Sequence, residues 1–513
     1  MRFNIRIYFC GAFFIIKIPS ISHIFGKMFD LQNKPFVIRF YRNIFSESKM
    51  DRTKNEFMGT EPIGKLLFKV ATPAVIAQVI NLLYNLVDRI YIGHMEEVGD
   101  MALTGLGVCN PIIIIVSAFA ALVSAGSAPK VSMALGEKSY DKAEKILGNS
   151  LTFLIAIALI LTPVLVVFKE PLLYLFGASE NSIGYATEYL SIYALGTIFV
   201  QIALGMNTFI TAQGFALYSM LTVSIGAVFN IILDPIFIFA LDMGVKGAAL
   251  ATIISQGVSA AWVLLFLSGK KTAVKICLKN MIPDFKVILP CIALGLSPFI
   301  MQASEAVIMI CFNKSLLSYG GDLAVGAMTV MTSIMQMTVI PLSGFCSGAQ
   351  PVAAYNYGAK NVGRVKETFK KMLVTSMIYT FVIWLIVMLF PETIVKIFNS
   401  KAELVSFTSG MLRVYMAVSL LMGIQISCQL TFIAIDCALE SFIVAVVRKF
   451  VLLIPLIYIL PAIISNKVFA VYLAEPVADF IAITFTVILF SIRFTKKMKS
   501  LENAQLSGNS QNA

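Results

Sequence analysis

A set of residues in this chain recurs at one fixed interval. Gly99-Asp100, Gly126, Pro129, Gly136, Lys138, Leu190 and Tyr193 return 222 residues later as Gly321-Asp322, Gly348, Pro351, Gly358, Lys360, Leu412 and Tyr415. Because one offset fits loops and apolar segments alike, the second half reads as a structural copy of the first. Whatever one half folds into must therefore be built twice. Each copy is far too apolar for water: 58% of the 513 residues are hydrophobic and 13% charged, against roughly 25% charged in soluble domains. A span needs roughly 20 apolar residues, so the length allows about a dozen helices. Strand-period alternation is missing, which argues against a barrel. A duplicated membrane-sized half with a few buried acids is the organisation of a transporter.

Twelve spans are predicted at 66–94, 102–128, 147–168, 187–210, 219–241, 246–268, 287–311, 323–346, 372–390, 405–433, 441–463 and 468–494. The expected fold is an all-α membrane protein of twelve transmembrane helices in two six-helix lobes. A pseudo-two-fold axis along the membrane normal relates them, since a half of six spans inserts twice in the same orientation. The expected organisation is an N-terminal extension over 1–49, translated from an early start with Met50 as the ordinary beginning. An N-lobe over 50–268, a linker over 269–286, a C-lobe over 287–499 and a disordered polar tail over 500–513 follow. Loop charge gives the orientation. Eighteen Lys and Arg follow spans 2, 6, 8 and 12, and six occupy the opposite loops, which puts both termini and the linker in the cytoplasm of a cell-membrane protein.

The net charge of +12 suggests nucleic acid, but residues 1–50 hold eight basic residues against two acids, half of that excess. The remainder lies in the loops just described. Membrane lipid is the expected partner and nucleic acid is not. The eight cysteines and two histidines are scattered without ligand-like spacing, so neither a metal site nor a disulfide framework is expected. No GxxxxGK phosphate loop and no clustered catalytic set occurs, which argues against ATP use and against an enzyme.

Ionisable and amide side chains inside the spans mark the candidate chemistry. Gln78, Asn81, Asn85 and Asp88 are spaced 3, 4 and 3 apart on one face of the first span. Interhelical hydrogen bonding is the structural reading, as is an ion pair between Asp88 and Arg89. In the fifth span Thr222, Gly226, Asn230 and Asp234 stand four apart, with Pro235 next. Asn230 and Asp234 on one face can share a proton or hold a small cation through oxygen. Gln302 and Glu305 share a face near Pro298, Glu305 being the one acid of its segment. Thr329, Thr332 and Gln336 form a further polar stripe, as do Gln425 and Gln429. Aligning Pro73 with Pro298 pairs Asp88 with Asn313, and aligning Pro235 with Pro455 pairs Asp234 with Ile454. The first half keeps carboxylates where the second has none, so cation or proton coupling is expected in the N-terminal bundle. Twenty-four Met and thirty-nine Phe suit a cavity for varied apolar cations.

The stretch from Pro73 to His94, the run Asn230-Ile-Ile-Leu-Asp234-Pro235 and the twin Gly-x2-Pro-x6-Gly loops resemble the MATE (multidrug and toxic compound extrusion) family, in its MepA-like branch, over about residues 60 to 495. The resemblance implies two lobes around a V-shaped cavity that rocks between states, exporting organic cations in exchange for H⁺ or Na⁺. Asp88 matches the family's first-helix acid, Asn230 with Asp234 its fifth-helix pair, and Glu305 the seventh-helix acid of sodium-coupled relatives. The tenth span has no matching acid before Asp436, a departure from those relatives. The expected site is thus Asp88, Asn230 and Asp234 for the coupling ion. Gln78, Asn81, Asn85, Gln302, Glu305, Thr329, Gln336 and Gln425 are expected to meet substrate, with a hinge at Pro73. No cofactor beyond H⁺ or Na⁺ is expected, the partners are cationic drugs or dyes, and the chain works as a monomer. The alternative is a lipid-linked saccharide flippase, whose cavity needs several basic residues at mid-depth. Here Arg89, Arg413, Arg448 and Lys449 are singled out within spans, besides Lys69, Lys246 and Arg493 within a few residues of span ends.

Overall fold

The computed structural model describes residues 8–10, 13–15, 56–95, 99–398 and 401–510. Two three-residue strands, Tyr8–Cys10 and Phe13–Ile15, pair antiparallel with Tyr8 opposite Ile15, a small departure from the all-α expectation. The rest of the expected extension lies outside the described residues. From Phe57 the described chain is helical, as backbone in lipid must be to satisfy its own N–H and C=O groups.

Among the described residues nine helices are long and apolar enough to cross a membrane, and eleven spans result when each of two bent pairs counts as one. The 74-residue helix Phe285–Gly358 is itself broken at Gly321, where φ is 62°. That left-handed turn suits glycine and separates the seventh and eighth spans, making twelve. The first is Ile63–Gly93, the second Gly99–Gly136, the third Tyr140–Leu175, and the sixth Gly244–Ser268. The ninth is Val362–Leu389, and the twelfth, Lys467–Ser510, is helical well past the expected start of a disordered tail. Lys366 ties that extension at 2.8 Å from Glu502; residues 511–513 lie outside the described part.

Two spans are bent. The fourth consists of Ile183–Leu195 and Thr197–Ala212 at 60°, the tenth of Ala402–Tyr415 and Ser419–Ala434 at 46°. In the fourth, the Thr197 hydroxyl takes the Ala194 carbonyl at 2.7 Å while Gly196 N–H bonds to Tyr193 O, a tightened turn. In the tenth, the ninth span satisfies the freed carbonyls: Thr380 donates to Leu420 O at 2.8 Å and Trp384 to Ala417 O at 3.1 Å. The fifth and eleventh spans each contain a π-helical stretch. Ile236–Ala240 follows Pro235, and Val447–Leu453 precedes Pro455.

The 222-residue repeat is reproduced in the backbone. Glu137, Lys138 and Ser139 donate to Met133, Leu135 and Ala134; Ala359, Lys360 and Asn361 donate to Tyr355, Tyr357 and Asn356. Lys138 and Lys360 even share a positive φ, 58° and 56°. Each lobe has its own core, around Leu147, Leu154, Phe209 and Val263 in the first, and around Phe312, Met331, Ile457 and Tyr472 in the second.

The copied glycines are where the lobes cross. A Cβ on Gly136 would run into the Tyr355 carbonyl, and one on Gly358 into the Met133 carbonyl, residues that the offset itself equates. Gly126 likewise lies on the Cys291 carbonyl of the seventh span, and its copy Gly348 on Val70 and Ala71 of the first. These crossings lie toward the lysine-rich end. There Lys130 also reaches Asp436 at 2.9 Å, Asn356 donates to Met58 O at 2.9 Å, and Arg364 to Glu61 O at 2.8 Å. Asp436 is thus one half of an ion pair between lobes. Its counterpart 222 residues earlier is Gly214, which shares the positive φ (86° against 57°); Gln213 beside it accepts from the Val274 N–H at 3.0 Å. Gly358→Ala is expected to force the second and eighth spans apart and to destabilise the protein by about 1–3 kcal/mol, read as a lower Tm in detergent. Gly410→Ala, where a Cβ meets open space, is the control and should melt like the parent.

Candidate functional site

The first and fifth spans bring Asp88, Asn230 and Asp234 together inside the N-lobe. All three are buried, at 9%, 2% and 0% exposure. The four-residue spacing of Asn230 and Asp234 stacks them, and the Asn230 amide donates to Asp234 Oδ1 at 3.1 Å. Asp88 faces them across the helix pair, close enough for the two carboxyl charges to act on each other. Tyr84, Tyr189 and Tyr193 border the site, and Tyr189 and Tyr193 stack with ring centroids 6.2 Å apart.

What this cluster lacks matters most. Oδ1 of Asp88, Oδ1 of Asn230 and Oδ2 of Asp234 are all buried with no hydrogen-bond partner. An unsatisfied buried polar atom costs roughly 1–3 kcal/mol, and here three oxygens from two elements share the deficit. Among the described residues no Lys or Arg lies within ion-pair distance of either carboxyl; the neighbouring Arg89 is exposed and forms no such pair. A proton or a small hard cation, which takes oxygen ligands, is what the arrangement can hold. No such ion needs a sulfur or imidazole donor, and none is present.

The other candidate residues are distributed differently. Gln78 and Asn81 are half-buried; Asn85, Gln302, Glu305, Thr329 and Gln336 are exposed. Gln78 packs over Gly344 of the eighth span, and Asn85 spends its amide on the Asn81 carbonyl at 2.7 Å. Thr329 donates to Val325 O within its own helix. Gln425 was expected to meet substrate, yet it is fully buried, with both amide atoms unpartnered. Gln429, one turn on, is also buried and donates to Ser297 of the seventh span at 2.8 Å. Pro73 lies within the first span, whose helix runs on through it.

Sequence reading missed a second buried cluster. The alignment put no carboxylate in the second half at the places of Asp88 and Asp234, but the C-lobe carries its own. Arg448 Nε bonds Asp479 Oδ1 at 2.7 Å with Glu475 4.0 Å away, and Lys449 Nζ bonds Glu305 Oε1 at 2.7 Å. Glu475 and Asp479, four apart in the twelfth span and flanking Pro476, show the same stripe that revealed Asn230 and Asp234. The buried cluster of the first lobe therefore holds acids without an ion-paired base, and that of the second holds acids with bases.

Comparison with known proteins agrees with this architecture. The MatE family profile matches residues 73–236 and 298–459, once in each half. The multidrug export protein MepA of Staphylococcus haemolyticus is 25% identical over 433 residues, which is 84% of this chain and 94% of that one. That of Staphylococcus aureus (strain N315) is 26% identical over 363 residues, 71% of this chain and 80% of that one. A crystal structure of MATE in the bent conformation superposes with a TM-score of 0.82 at 22% identity, covering 88% of this chain and 99% of that one. The structure of the MATE multidrug transporter DinF-BH in complex with R6G gives 0.78 at 33% identity, covering 84% and 96%.

Proposed function

Since the chain belongs to the MatE family, we propose that it is a secondary active multidrug efflux transporter exporting organic cations in exchange for H⁺ or Na⁺. The observation that carries this reading is the counterion-free pair Asp88 and Asp234, with three partnerless oxygens in a buried pocket. Such a site binds a cation in one conformation and releases it in another, and coupling requires that the affinities of the two states differ. The glycine crossings supply the moving seam: they close the lobes on each other at the lysine-rich end, and separating them would open that end. By the charge bias of the loops this end is cytoplasmic, in a cell membrane. One chain contains both lobes, so a monomer suffices. Bending of the first span near Pro73 would carry Asp88 relative to Asp234.

The flippase reading fares worse. Its cavity must neutralise a diphosphate, whereas Arg448 and Lys449 already face three carboxylates.

Reconstitution in dye-loaded liposomes tests the proposal. An imposed tenfold proton gradient or, separately, sodium gradient is expected to drive a cationic dye to an accumulation ratio of about tenfold, the ratio that about 1.4 kcal/mol from a monovalent ion supplies. Export that responds to neither gradient sinks the reading.

A further inference from the structure

The C-lobe cluster has a division of labour between its two bases. Arg448 and Lys449 are consecutive and both buried, with side chains 6% and 5% exposed; the π-helical stretch Val447–Leu453 turns both inward. Arg448 is locked: Asp479 takes its Nε, Glu475 stands 4.0 Å off, and Met422 Sδ lies 3.7 Å from its terminal nitrogen. Lys449 reaches the other way, to Glu305, whose side chain is 55% exposed. The carboxylate thus faces open space while its partner approaches from the protein side. A lysine on a flexible four-carbon stem can let go of such a partner more readily than a forked guanidinium can. It also has somewhere to go. Glu475 stands 4.0 Å from the adjacent Arg448. Gln425, fully buried with Oε1 and Nε2 unpartnered, stands between Met422, which touches Arg448, and Gln429, which touches Ser297 of the seventh span.

We propose that Lys449 is a tethered cation that occupies Glu305 when no cargo is present and is displaced from it by a cationic substrate, so that the Lys449–Glu305 pair sets the charge selectivity of the C-lobe. This rests on the reading of organic cations as cargo. Three carboxylates against two bases leave the cluster with one negative charge in excess, which favours an incoming cation over an anion. Lys449 then competes with the cargo for one carboxylate, and its return to Glu305 on the next cycle helps expel what was bound.

The test is binding of tetraphenylphosphonium and of its uncharged counterpart, triphenylphosphine oxide, to the purified full chain in nanodiscs. Lys449→Met is expected to tighten tetraphenylphosphonium binding about fivefold, the scale of a half-exposed ion pair, and to leave triphenylphosphine oxide unchanged. Glu305→Gln added to Lys449→Met should cancel the gain. Glu305→Gln alone, with folding checked by its melting temperature because it leaves the buried Lys449 without its carboxylate, should weaken tetraphenylphosphonium selectively. Lys449→Arg, whose forked guanidinium holds Glu305 more firmly, should weaken tetraphenylphosphonium binding and leave triphenylphosphine oxide unchanged. Equal shifts for charged and uncharged probes, or none in Lys449→Met, overturn the proposal while leaving the efflux reading intact. A parent protein that binds no tetraphenylphosphonium overturns both.

Discussion

Asp234→Asn is expected to reduce gradient-driven dye export about 10- to 100-fold, the worth of one charged hydrogen-bonding group of roughly 1.5–3 kcal/mol, while the protein still folds and still binds dye. The substitution is nearly isosteric. Asn230 keeps its acceptor, because the replacement amide offers an oxygen where Asp234 Oδ1 now receives a 3.1 Å bond. What is lost is the ability to gain and release a positive ion, since an amide does not titrate and binds a hard cation poorly. Asp88→Asn should act in the same direction and less severely, because Asp88 keeps slight exposure, 9% against 0%. The two losses should not add, since both carboxyls serve one buried site. Transport in liposomes under each gradient, paired with dye affinity at equilibrium, separates lost coupling from lost binding. Parental coupling in both variants would remove the ion-binding role from this pocket.

The parts of this molecule that were legible in the sequence are those that a single helix or a fixed offset can express. Asp88, Asn230 and Asp234 announced themselves because polar residues three or four apart in an apolar span must share a face. The copied Gly126, Gly136, Gly348 and Gly358 were visible as a repeat, but their purpose was not. Only the structure pairs Gly136 with Tyr355 and Gly358 with Met133. Contacts between helices have no local signature, which is also why Lys130 and Asp436 read as unrelated charges 306 positions apart. The bends at Gly196 and near Ser419 depend on which side chain captures a freed carbonyl, and for the tenth span that side chain is on another helix. The C-lobe cluster escaped for a different reason. Reading the second half through its alignment with the first directed attention to Asn313 and Ile454, whereas Glu475 and Asp479 belong to a span whose first-half copy has no such acids.

Arg448→Met is expected to be the most damaging single change to stability, about 3–5 kcal/mol, because removing one partner of a buried ion network leaves the others charged and unpaired. Asp479 and Glu475 are 3% and 6% exposed, so neither can recover its hydration without opening the bundle. The comparison with Lys449 makes the argument specific. Lys449→Met also deletes a buried positive charge, but the carboxylate it abandons, Glu305, is 55% exposed rather than enclosed by the bundle, so the loss of Tm should be much smaller than for Arg448→Met. Restoring balance should restore Arg448→Met as well. Adding Asp479→Leu and Glu475→Gln replaces the network by uncharged groups, and complete replacement of a buried ion network is often neutral or stabilising. Thermal melting in detergent of the single, double and triple variants reads this directly. A single Arg448→Met variant that melts with the parent would mean that Asp479 and Glu475 do not depend on it. Recovery in the triple variant, with dye binding kept, would assign Arg448 to holding the lobe together and leave Lys449 as the mobile charge beside it.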